Sequence, residues 1–117
     1  MRNFRDLDIW KESINLVSTV YALIQDFPAD EKYCLSQQIR RSAISIPSNI
    51  AEGCRGSDKE LIQFLNISIG SSFELETQLI LAGNLNFIQP SDCENTINMV
   101  HVIQRKMNAF RSSIKNK

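Results

Sequence analysis

Apolar side chains recur at steps of three and four along almost the whole chain, and no stretch keeps the strict alternation of a strand. Breaks fall near Phe27-Pro28, at Gly53 to Gly56 and at Asn86 to Pro90, so the pattern predicts four helices. Helix one is expected from Asp6, whose carboxylate can cap free amides, to Phe27. Helix two is expected from about Asp30 to Glu52, where Gly53-Cys54-Arg55-Gly56 supplies the permissive dihedrals that end it. Helix three opens on a capping box, Ser57-Asp58-Lys59-Glu60, and runs to Leu85, with Asn86 as its left-handed terminator. Helix four opens after Pro90 on a second such box, Ser91-Asp92-Cys93-Glu94. Long helices joined by short connections favour antiparallel neighbours. The fold class is therefore all-α, an antiparallel up-down four-helix bundle, read as one domain over residues 1–117.

Each helix offers an inward seam. Helix one places Leu7, Trp10, Ile14, Val17, Tyr21 and Ile24 at bundle spacing, and helix two does so with Leu35, Ile39, Ala43, Ile46 and Ile50. Helix three contributes Leu61, Leu65, Ser68, Ser72, Leu75, Leu79 and Ala82, and helix four Cys93, Ile97, Val100, Ile103, Met107, Phe110 and Ile114. Two helices carry more apolar surface than one seam explains. On helix one, Ile9, Leu16, Val20, Leu23 and Phe27 form a second stripe rotated by roughly 110°, and on helix three Ile62, Ile69, Phe73 and Ile80 do the same at roughly 100°. A wide stripe suits a helix with two bundle neighbours. An exposed band of that length is also a liability on a monomer, so these second stripes are candidate oligomer interfaces.

The seam of helix two passes straight through Pro47. Proline removes one amide and presses on the carbonyl four residues back, at a cost of about 3 kcal/mol unless packing compensates. Because the register survives, the reading is a proline-kinked second helix, with Ser45, Ser48 and Asn49 bonding near the freed carbonyls. Arg41, Ser45, Ser48 and Glu52 fall on one outward strip.

Charge then narrows the functional classes. The chain carries 13 basic and 13 acidic side chains, so no overall field announces a nucleic acid or a membrane, and a charged partner must be met by a local patch. Basic residues gather in two places. Arg105, Lys106, Arg111, Lys115 and Lys117 surround the end of helix four, where their sign also suits the helix dipole. Arg40, Arg41, Arg55 and Lys59 form a second cluster around the turn between helices two and three, with Arg2 and Arg5 near it. No aromatics interleave with them in sequence as base-stacking platforms do. The opening residues lack a secretory apolar run and no stretch is long enough to span a membrane, which makes a cytoplasmic location the expectation. Cys34, Cys54 and Cys93 match neither a disulfide framework nor a zinc motif and are read as buried or half-buried apolar residues.

Catalytic chemistry finds no footing. His101 is the single histidine, with no cysteine or carboxylate at metal-ligand spacing, and is read as a surface or interface side chain. Glu74 and Glu76 point to different sides of one helix. Gly53-Cys54-Arg55-Gly56-Ser57 can attract an anion through free amides but lacks the lysine of a P-loop. The expectation is no enzyme, no metal and no cofactor.

The segment QIRRSAISIPSNIAEG, preceded by FRDLDIW and DFPADEKYCLSQQ and followed by Gly70-Ser71-Ser72-Phe73-Glu74-Leu75-Glu76-Thr77-Gln78-Leu79, resembles the four-helix-bundle proteins encoded in intervening sequences of bacterial large-subunit ribosomal RNA genes. The resemblance covers almost the whole chain. It implies a homopentamer without known catalytic activity. The accessory variability protein of diversity-generating retroelements, a relative that assists a reverse transcriptase, adds an association with nucleic acids and polymerases. One departure is Asn86, where the family often has glycine, and asparagine tolerates the same conformation. The leading expectation is a non-enzymatic, homo-oligomeric helical scaffold that binds RNA or a nucleic-acid enzyme such as a reverse transcriptase through basic surface. The alternative is a purely structural or protein-interaction module that binds no nucleic acid.

Overall fold

The structure is a computed structural model that describes residues 2–117. Four helices account for most of it: α1 (Asp8–Ile24), α2 (Leu35–Gly53), α3 (Asp58–Asn84) and α4 (Pro90–Lys115). Single 3-10 turns precede α1 at Phe4–Asp6 and α2 at Ala29–Glu31. Each helix packs on its two chain neighbours and α4 returns to α1, closing an all-helical four-helix bundle of 46 × 23 × 20 Å. The up-down path follows from the short connections. It gathers the start of α1, the α2–α3 turn and the end of α4 at one pole.

Local sequence explains the helix ends. Ser57 accepts from the Glu60 amide at 3.2 Å while the Glu60 carboxylate accepts from the Ser57 amide at 3.4 Å, so the capping box of α3 forms as read. Asn86 has φ 63°, and its amide and that of Phe87 bond the Gly83 and Ala82 carbonyls, the left-handed stop expected there. The other caps differ. Asp6 does not open α1; Asn3 instead accepts from the Arg5 amide in the preceding turn, and α1 begins at Asp8. In α4, Pro90 takes the first helical position, which its fixed φ favours, so Ser91 already lies inside the helix and caps nothing. The second helix starts later than expected, at Leu35, which leaves Cys34 exposed rather than buried.

The core contains Leu16, Val20, Ile39, Ile46, Ile50, Leu65, Leu75, Leu79, Val100 and Met107, all fully buried. The inward seam of α3 is buried at every position read for it, and in α2 Ile39, Ala43, Ile46 and Ile50 are sealed on both sides of Pro47. The helix passes through the proline without interruption. Asn49 Nδ2 donates to the Ser45 carbonyl at 2.8 Å, and the Ser68 hydroxyl of α3 donates to the Ile46 carbonyl at 3.0 Å. Small side chains let α2 and α3 approach closely, and Ser45 faces this contact by sharing a hydrogen bond with Ser71 at 2.8 Å. It does not belong to the outward strip with Arg41, Ser48 and Glu52, which are exposed.

On α1 the two stripes are exchanged over most of the helix, while Ile24 of the seam read as inward is buried as expected and Leu7 packs half-buried on the core. Ile9, Leu16 and Val20 are buried in the protomer, whereas Ile14 and Tyr21 are exposed and Trp10 and Val17 half-buried. Ser13 explains why the pattern misleads: it sits in the inner stripe, where its hydroxyl donates to the Trp10 carbonyl at 2.7 Å and needs no water. Ile9, Leu16, Val20 and the α3 residue Ile69 are thus core residues, not interface candidates, while Leu23 and Ile62 are half-buried against that core. Phe73 and Ile80 do remain outside, at 55% and 46% exposure. With Ile67, Leu81 and Leu85 they make the outer side of α3 an apolar face.

Candidate nucleic-acid interface

Three segments build a basic pole. The Arg2 amide donates to the Cys54 carbonyl at 3.2 Å, which ties the N-terminal turn to the end of α2. The Arg2 guanidinium meets the Asp58 carboxylate at 2.8 Å and holds that carboxyl below its ordinary range, chiefly through this hydrogen bond. It also lies 5.9 Å from the centre of the Phe110 ring. Phe4 packs against Trp10 with ring centres 5.2 Å apart, and the Arg5 guanidinium stands 5.3 Å over Phe4. At the α2–α3 turn Arg55 contacts Glu52 at 3.4 Å and Lys59 is exposed. At the end of α4, Arg111 donates to Asn66 at 2.7 Å and to Asn108 at 2.6 Å, and Lys117 lies 3.8 Å from Asp58.

The two sequence clusters therefore regroup. Arg55 and Lys59 join Arg111 and Lys115 at one pole, where Arg2 and Arg5 also lie. Arg40 and Arg41 belong to the first turns of α2, toward the opposite end, where Arg40 donates to the Lys32 carbonyl at 3.1 Å. Lys106 is held by Glu12 at 2.8 Å, a hydrogen bond that raises its pKa, and Arg105 is exposed. Among the described residues Arg5, Lys59, Arg105 and Lys115 form no ion pair. The aromatic partner of Arg2 was hidden in the sequence, since Phe110 is distant from it along the chain, whereas Phe4 stands directly before Arg5 and is an aromatic between two arginines, contrary to the expectation of no interleaved aromatics. Asp26, Asp30, Glu31, Asp92 and Glu94 occupy the other end together with Lys32, Arg40 and Arg41, and Asp6, Asp8, Glu52, Asp58 and Glu60 share the basic pole, so the charge separation between the two ends is partial.

Beside the basic pole lies a groove of about 730 Å³ walled by the N-terminal turn and the last turns of α2. Cys54 is buried at its edge, and burial pushes that thiol up, Arg2 opposing. A second polar cluster bridges α3 and α4. His101 Nε2 donates to Glu76 Oε2 at 2.9 Å and Gln104 Nε2 to Glu76 Oε1 at 3.1 Å, which together hold the Glu76 carboxyl below its ordinary range. His101 is thus half-buried against a carboxylate that spacing along one helix does not reveal. No hydroxyl or thiol bonds to either group, and among the described residues no three metal-ligating side chains converge. No helix of the described residues is long and apolar enough to cross a membrane.

Fold and pole together define an all-α bundle whose distinctive feature is a charged end. The family profile described as 23S rRNA-intervening sequence protein matches residues 5–109, and the chain belongs to that family. Its fold is similar to a crystal structure at 1.70 Å resolution of a protein of unknown function from the S23 ribosomal protein family of Bacteroides thetaiotaomicron VPI-5482. The TM-score is 0.79 at 23% sequence identity, over 88% of this chain and 97% of that one. Among curated proteins no sequence matches this chain.

Proposed function

We propose that this protein is a non-enzymatic helical scaffold of the cytosol that assembles with copies of itself and binds RNA at its basic pole. The observation that carries the reading is the convergence of Arg2, Arg5, Arg55, Lys59, Arg111 and Lys115 from three separate segments at one end of the bundle. Self-assembly multiplies such a patch around a symmetry axis. Five copies is the number the family resemblance implies, and a nucleic-acid enzyme such as a reverse transcriptase is a further partner that the multiplied patch suits.

A salt titration of single-stranded RNA binding tests this. Phosphate contacts predict a fall of log affinity with log salt of about 0.7 per phosphate neutralised. The slope is blunted in Lys59→Ala, Arg111→Ala and Lys115→Ala variants and unchanged in Arg40→Ala/Arg41→Ala. No binding at low salt overturns the RNA reading.

The outer face of α3 supports the assembly, and it equally favours a protein-interaction module without nucleic acid. Ile67, Phe73, Leu81 and Leu85 are about half exposed there, and from Ile67 to Leu85 the face carries Glu74 and Thr77 but no lysine or arginine. Gly70 sits at its middle, where an added Cβ meets nothing within 4 Å. A mid-helix glycine costs roughly 1 kcal/mol against alanine, and the protomer offers no compensating contact. Close approach of a second chain supplies one. Phe73→Asp is expected to reduce the sedimenting mass with little change in protomer stability, and a wild-type monomer at high micromolar concentration removes the assembly.

A further inference from the structure

We infer that the groove between the N-terminal turn and the end of α2 seats one phosphorylated nucleotide of a single-stranded RNA, its phosphate on Arg5 and Arg55 and its base along the Phe4–Arg5 wall. The inference rests on the RNA-binding reading and deepens it by naming where a strand is gripped. At about 730 Å³ the groove is the size of a small-molecule site, far larger than an inorganic anion needs.

Its wall is fixed in place. The Arg2 amide bonds the Cys54 carbonyl at 3.2 Å, the Asn3 side chain accepts from the Arg5 amide at 3.1 Å, and Phe4 is pinned on Trp10. A flexible strand of the same composition would not hold a cleft open. The three guanidiniums have different tasks. Arg2 is committed to Asp58 and serves the wall. Arg5 has no carboxylate partner among the described residues, and its guanidinium 5.3 Å over the Phe4 ring brings a cation and an aromatic together, the two kinds of group on which unstacked bases pack. Arg55 has only Glu52, at 3.4 Å on an exposed surface, a pairing weak enough for a phosphate to compete with, and because the Glu52 carboxylate also lines the groove the two arginines must outweigh one like charge there. Ser48 adds an exposed hydroxyl on the α2 side. A duplex keeps its bases stacked and inward, whereas a single strand can splay one into a cleft.

The test uses the full chain with any tag at the C-terminus, since the N-terminal turn is the wall. Fluorescence anisotropy is measured with a labelled single-stranded RNA of about 12 nucleotides, within the usual span of such sites, and with a hairpin duplex of the same composition. Arg5→Ala and the groove-filling Ser48→Trp are expected to weaken single-strand binding about tenfold, and Arg5→Ala to lower the salt slope by about one. The duplex is expected to bind more weakly and to ignore Ser48→Trp. Ser48 is exposed, so that variant is expected to keep the wild-type circular dichroism and mass. If both variants bind like wild type while Lys59→Ala, Arg111→Ala or Lys115→Ala loses affinity, the groove is overturned and the basic pole stands. Equal sensitivity of duplex and single strand also overturns the groove. Absence of RNA binding by the wild type overturns both.

Discussion

Gly53 and Gly70 stand on opposite sides of the same packing question. At Gly53 an added Cβ would lie 2.9 Å from Phe64 Cβ and 3.2 Å from Leu61 Cα, so the end of α2 needs glycine to sit against α3. At Gly70, on the outer side of α3, the same atom meets open space. Both glycines have ordinary negative φ, so neither is there for a left-handed backbone. One is explained by the protomer's own packing. The other has no explanation inside the chain's own packing, and the contrast separates a surface the fold uses from one it leaves open.

The largest expected effect tests which side of α1 is inner. Leu16→Ala should lower unfolding free energy by about 2–5 kcal/mol in a denaturant titration, whereas Ile14→Ala should cost less than about 1 kcal/mol. Comparable losses would mean that α1 is rotated from its place here. Next, Gly53→Ala should destabilise by about 1–3 kcal/mol despite the better helix propensity of alanine, because backbone stands in the way.

A smaller effect belongs to the α3–α4 bridge, and it depends on pH. Glu76 is held below its ordinary carboxylate range in the fold, so its contribution is present above the unfolded value and is lost as pH falls through the folded one. Glu76→Gln should cost about 1 kcal/mol near neutrality, and the gap from wild type should close in acid. A pH-independent gap would assign the loss to packing instead. Smallest is Gly70→Ala, expected to stabilise the protomer by about 0.5–1 kcal/mol while weakening self-association in sedimentation. Stability gained with assembly untouched would leave that face without a close-packed partner.

How much of this was legible follows from where polar residues fall. In α3 the seam contains Ser68 and Ser72 yet reads correctly, because Leu61, Leu65, Leu75 and Leu79 anchor it at both ends even though Ile62, Ile69, Phe73 and Ile80 form a second apolar stripe. In α1 the outer stripe, with Trp10, Ile14, Val17 and Tyr21, is as apolar as the inner one, and Ser13 lies on the inner side. Periodicity fixes the angle between two stripes and cannot say which faces in when a serine satisfies itself on its own helix. Capping chemistry was readable where one candidate stood alone, as at Ser57 and Asn86, and misread where Pro90 competed with Ser91 for the helix start. The basic pole was half visible: both clusters were in the sequence, but only the fold pairs Arg55 with Arg111 and separates it from Arg40. The Glu76–His101 and Arg2–Phe110 contacts join positions whose neighbourhood no local spacing encodes, whereas Phe4 stands beside Arg5 in the sequence and was readable there.

The serine ties across α2 and α3 have a kinetic consequence. Ser68 reaches the Ile46 carbonyl beside the proline, Ser71 meets Ser45, and Ser42 donates to Gln78 at 2.7 Å, all spanning a connection of only a few residues. Short loop closure makes this hairpin the cheapest tertiary unit to nucleate, so α1 and α4 are expected to dock onto it late. In native-state hydrogen exchange its amides should open last, and in refolding experiments substitutions along it should slow the forward rate while those in α1 mainly hasten unfolding.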